Sequence, residues 1–111
     1  MMESLIKEIV AIEGVFSCYL IDREGEIVGY GGKSELDESV VSAIIASVSK
    51  ELSTQMNIKD DFSITILAVN KNLFIVTKKN FILAVFTDTK IDTGKIKLEL
   101  LKGVKAISEE L

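Results

Sequence analysis

Over residues 2–12 the apolar side chains Leu5, Ile6, Ile9 and Val10 recur at three- and four-residue steps, with Glu3, Lys7 and Glu8 on the other side. That spacing predicts an amphipathic helix, which Gly14 ends. The period then changes to two. "VFSCYLI" (15–21) and "EIVGYG" (26–31) flank "DREG", where Asp22 and Gly25 tolerate the positive φ of a hairpin turn. Residues 35–56 return to a helical period, and residues 63–69, 73–77 and 81–87 read as short strands joined in a meander by "NKN" and "KKN" turns. In the last two strands both alternating sets are apolar: Leu73 and Ile75 against Phe74 and Val76, then Phe81, Leu83 and Val85 against Ile82, Ala84 and Phe86. Such a sheet needs cover on both faces. From Thr93 a last helix places Leu100, Leu101, Val104, Ile107 and Leu111 on one side. The order α-β-β-α-β-β-β-α predicts an α/β (α+β) fold, an α/β/α sandwich around a central antiparallel sheet of about five strands.

The middle helix has two faces of different character. Val40, Val41, Ile44, Val48 and Leu52 form one stripe, with Ile45 at its edge, and are expected against the sheet. Opposite lie Ser39, Ser42, Ala46, Ser49 and Ser53, where a solvated helix would carry Glu, Lys or Arg, because serines cost helix propensity. Small residues at that spacing let a second helix approach closely, so this face is expected to be a helix-to-helix interface. A plain serine-rich solvent face is the alternative.

Composition narrows the function. A chain of 111 residues reads as a single domain, 1–111, with 48% hydrophobic residues. The mean hydropathy of +0.35 is high for its length and fits an apolar surface covered by a partner. Acidic residues outnumber basic ones 17 to 13, for a net charge of −4, which argues against nucleic acid as a partner. The absence of histidine removes Ser-His and Cys-His catalysis and most zinc sites. Cys18, the lone cysteine, sits in an apolar run and is expected to be a buried, inert thiol. Apolar runs such as "FILAVF" are far shorter than the roughly 18 residues of a membrane span, and the N-terminus is acidic, so no direct membrane insertion and a cytoplasmic location are expected. No catalytic residue, metal site or cofactor is expected.

"GYGGKSELDES" (29–39) ends like a phosphate-binding loop. That loop requires a first glycine five residues before the Gly-Lys pair, and Ile27 stands there, inside a strand. Glu35, Asp37 and Glu38 would also repel a triphosphate. The stretch is better explained as helix punctuation, with Ser34 and Asp37 forming a capping box and Gly29, Gly31 and Gly32 letting the strand end and turn.

The hairpin "EGVFSCYLIDREGEIVGYGG", the serine- and alanine-rich second helix and the order of elements together resemble the Roadblock/dynein light chain family over essentially the whole chain. The last helix is similar to that of its prokaryotic MglB-like branch. The resemblance implies a non-catalytic homodimeric module, Roadblock/profilin-like in fold, that works with a small Ras-like GTPase as activator, scaffold or regulator, or as an adaptor. It also implies a dimer built from the second helix and the third strand, which adds Ser63, Thr65 and Leu67 to the expected interface. A small-molecule sensor is the rival reading. It calls for polar groups on a sheet face, of which the strands offer Ser17, Tyr19 and Thr65.

Overall fold

The computed structural model describes residues 2–59 and 61–110. Its elements are α1 (Met2–Val10), β1 (Val15–Ile21), β2 (Ile27–Gly32), α2 (Glu38–Gln55), β3 (Phe62–Leu67), β4 (Asn72–Thr77), β5 (Ile82–Thr87) and α3 (Thr93–Glu110). The sequence order of helices and strands is the expected one, with ends moved by up to three residues. The five strands form one sheet in the order β2-β1-β5-β4-β3, antiparallel throughout. β3, β4 and β5 make the expected meander, and β1 joins the hairpin to it by pairing with β5. β2 and β3 are therefore the two open edges.

The doubly apolar strands are covered on both sides. Cys18, Leu20, Phe74, Leu83 and Val85 pack with Ile6 and Ile9 of α1 and with Ile96, Leu100, Val104 and Ile107 of α3. Tyr19, Ile21, Ile75, Ile82 and Ala84 pack under Ile45 and Ala46 of α2. Each fully buried aliphatic side chain contributes roughly 1.5–3 kcal/mol by leaving water. In α3 the stripe is turned slightly from the expected one: Ile96 joins the core while Leu101 is 57% exposed. Leu111 lies outside the described residues.

Gly29 and Gly31 serve close packing within β2. A Cβ at Gly31 would lie 2.8 Å from Ile6 and 3.0 Å from Val10, so glycine is what lets α1 settle on this strand. Gly32 alone makes the sharp exit, with φ of +89°. At the other end of the hairpin, the Asp22 carboxylate accepts the N–H groups of Glu24 and Glu26 at 3.0 and 2.9 Å, and Gly25 has φ of +93°.

α2 begins at Glu38, three residues later than expected. Its N-cap is Asp37, whose carboxylate accepts from the N–H groups of Ser39 and Val40 and from the Ser39 hydroxyl at 3.1, 3.3 and 2.8 Å. Ser34 instead accepts the Leu36 N–H at 3.1 Å in a small preceding turn, and the expected capping box does not form. A carboxylate is the stronger acceptor for orphan helix donors, so the register follows Asp37.

Candidate functional site

The orientation of α2 defines the surface. Its buried residues are Ser42, Ile45, Ala46 and Ser49, whereas Val40, Ile44 and Val48 are 52%, 56% and 42% exposed. The expected core stripe thus faces outward over much of its width, and the expected interface face lies against the sheet. The reason is beneath the helix. Tyr19 rises from the centre of the sheet with Tyr30 and Phe86 packed round it, ring centroids 5.0 and 5.9 Å away. Bulk from below favours small residues above, and Ser42, Ala46 and Ser49 flank the one large buried residue of this face, Ile45. Ser42, Ala46 and Ser49 are accordingly internal to the subunit, which corrects their assignment to an interface with another helix. Among the other expected interface residues, Ser39, Ser63, Thr65 and Leu67 are exposed and Ser53 is half-buried.

Contacts at the hairpin tip fix which way the aliphatic flank looks. The position a Cβ would take on Gly25 lies 3.4 Å from Ala43 and 3.5 Å from Ala46, so the β1–β2 turn abuts that side of α2. At ~100° per residue, Val41, Ile44, Val48 and Leu52 lie on the opposite side, turned toward β4 and β3. There the sheet offers Ile64, Leu73 and Phe86, half-buried at the margin of the core, and Ile66, which is exposed on the same strand face as Ile64. The site is therefore an apolar trough, with the flank of α2 as its wall and the outer strands as its floor, ending at the unpaired backbone of β3. Native proteins usually blunt such an edge with charge or proline, and "FSITIL" carries neither.

The residues weighed for chemistry are occupied structurally. Burial pushes the Cys18 thiol up to about 12, which leaves it protonated at neutral pH. The Lys33 N–H donates to the Phe16 carbonyl at 3.0 Å and is not free to cradle a phosphate. Arg23 donates from Nη1 to the Lys78 carbonyl at 2.9 Å, tying the β1–β2 turn to the β4–β5 turn. Tyr19 Oη and Ser49 Oγ are buried without a protein hydrogen-bond partner, on the α2 side of the sheet. Among the described residues no group of acidic or cysteine side chains has a metal-binding arrangement, and no helix is long and apolar enough to cross a membrane.

The sequence shows the exposed flank of α2 as a hydrophobic stripe, but periodicity alone points that stripe at the sheet. The signal that could have corrected it is Tyr19 in mid-strand, which favours small residues opposite.

No protein-family sequence model and no curated protein sequence matches the chain. Solved structures do match. A Roadblock/LC7 domain from Streptomyces avermitilis superposes with a TM-score of 0.83 at 17% identity, over 97% of this chain and 95% of that one. Myxococcus xanthus MglB gives 0.86 at 14% identity, over 99% and 96%. MglC from the same organism gives 0.70 at 16% identity, over 97% of each chain. The class defined by this architecture is the Roadblock/LC7 fold. MglB shares that fold with this chain over nearly its whole length.

Proposed function

We propose that the chain is a non-catalytic homodimeric module that binds a small Ras-like GTPase and acts as its scaffold or regulator. The observation that carries the dimer is the open trough: Val40, Ile44 and Val48 on α2, beside an uncharged β3 edge bearing Ile64 and Ile66. A second copy related by a two-fold axis fills it with the same surface, α2 packing on α2 and β3 pairing antiparallel with β3, and the edge is thereby removed. Ser63, Thr65 and Leu67 then lie at the strand junction, and Ser39 and Ser53 at the ends of the helix pair. One of the matching structures is described as MglB with a tetrameric arrangement, so self-association occurs on this fold.

The paired α2 helices present one composite surface that spans both subunits, so a GTPase binds across the junction, one per dimer. Binding depends on the nucleotide, because the GTP-bound form orders the switch loops that a partner reads. Arg23, the single arginine, is committed to a backbone carbonyl, so any acceleration of hydrolysis comes from positioning the switches rather than from an arginine finger.

The test measures association of small GTPases from the same organism, loaded with GTP analogue or GDP, with the native protein and with Ile44→Glu. Binding of the GTP form by the native protein and its loss in the variant support the reading. Equal binding by a monomeric variant, or no binding to any GTPase, overturns it.

A further inference from the structure

The opposite face of the molecule carries a second apolar feature that the dimer and its GTPase leave unused. On α3 the row Lys97, Leu101 and Lys105 runs along the side away from α1, with Leu98 beside it. Leu98 and Leu101 are both more than half exposed. Lys97 and Leu101 border a crevice of about 120 Å³ whose other wall is Ser63 and Thr65 of β3 and Phe74 and Val76 of β4. β3, which forms one wall, is the open edge of the sheet.

We propose that this crevice is half of a groove that binds one amphipathic helix of a partner protein, apolar along one stripe and acidic on both flanks. The inference rests on the β3–β3 dimer proposed above. α1 lies over β1 and β2 and packs beside α3. At the 8–10 Å of packed helices, about two strand spacings, the axis of α3 falls near the boundary of β5 and β4, whose Leu83, Val85 and Phe74 share its core. The two copies of α3 are then four strand spacings apart across the junction, about 19 Å at ~4.8 Å per strand. A helix lying midway is ~9.5 Å from each, inside the 8–10 Å range of packed helices. Its floor is Ser63, Thr65 and Leu67 from both subunits, small or apolar residues that let a helix sit low. Leu101 from each side meets its apolar stripe.

Charge selects the flanks. Each wall carries Lys97 and Lys105, and the acid nearest the strand, Asp61, is held by Lys78 at 3.4 Å. Glu99 and its partner Lys102, 3.6 Å apart, belong to the α1 side of α3, where both line the cleft with Leu5 and Glu8. The groove is thus locally basic in a chain of net charge −4, and a helix with Glu or Asp on either side of its stripe matches it. Because the groove lies on the two-fold axis, it takes one helix per dimer.

The experiment uses two fluorescent model helices about five turns long. They share one leucine stripe and carry either glutamates or lysines on the flanks. Anisotropy titrations are run on the intact protein, on Leu101→Ser and on Lys97→Glu/Lys105→Glu, with the mass of each sample measured by light scattering. Binding of the acidic helix at one per dimer supports the proposal, provided that Leu101→Ser weakens it about tenfold or more and the charge-reversed variant prefers the basic helix. A dimer that binds neither helix, binds both equally, binds one per chain, or ignores Leu101→Ser overturns the proposal and leaves the dimer standing. A native protein that is monomeric overturns both.

Discussion

Asp37 caps α2 through a carboxylate that gathers the Ser39 hydroxyl and the N–H groups of Val40 and Ser39, and these bonds hold its ionisation below the ordinary carboxylate range. Because the folded-state value is depressed, the contribution is complete above the unfolded-state value and is lost as pH falls through the folded one. Asp37→Ala should lower the thermal midpoint at neutral pH, Asp37→Asn should restore most of it, and the gap between native and Ala proteins should close on acidification; melts across a pH series check all three. Tyr19 makes the opposite kind of prediction. Its hydroxyl is buried without a protein partner, so Tyr19→Phe removes a polar atom that gains nothing from the fold while keeping the ring that spaces α2 from the sheet. Denaturant titration should show stability within about 0.5 kcal/mol of native, or raised, whereas Tyr19→Ala empties the space under Ala46 and should cost about 3–5 kcal/mol.

At the scale of the element, α2 is a helix with two unlike faces, one of small residues against the sheet and one aliphatic and exposed. Its small face is shaped by Tyr19 and Tyr30 below, and its aliphatic flank is left exposed, where the proposed second copy would pack. The contrast between neighbours two residues apart exposes this. Ile44→Glu places a charge on an exposed flank and should leave a folded monomer, while Ala46→Glu buries an unpaired charge against the sheet and should cost 3 kcal/mol or more, about enough to unfold the subunit. Circular dichroism with light scattering separates these outcomes; a dimeric Ile44→Glu would move the interface off this flank. The elements and their order were legible in sequence because a period of two and a period of 3.6 seldom imitate one another, and "NKN" and "KKN" punctuate the meander. Which face of α2 points inward was not legible. Hydrophobic periodicity reports that Val40, Ile44 and Val48 avoid water, not whether their own sheet or another subunit excludes it. The cap is ambiguous for a related reason: Ser34 and Asp37 both fit a helix start, and the choice between them depends on acceptor strength.

For the whole molecule, the two open edges of the sheet have different fates. β2 is narrowed by glycines that draw α1 down onto it, whereas β3 stands clear beside an aliphatic helix flank. A dimer closed through β3 and α2 couples folding to association, so its unfolding midpoint must rise with protein concentration. For a two-chain unit, each tenfold increase adds about 1.4 kcal/mol, which corresponds to roughly 3–5 °C for a unit of this size. The native protein should show that slope in scanning calorimetry over a hundredfold range of concentration. Ile44→Glu should melt at a lower midpoint that does not move, because its unfolding is unimolecular. Leu98→Ser, on the far side of the sheet from the trough, should retain the native slope. That third sample guards against a general effect of removing exposed apolar surface. A native midpoint independent of concentration, together with a monomer mass by light scattering, would remove the dimer and with it the composite surface on which the proposed GTPase binding rests.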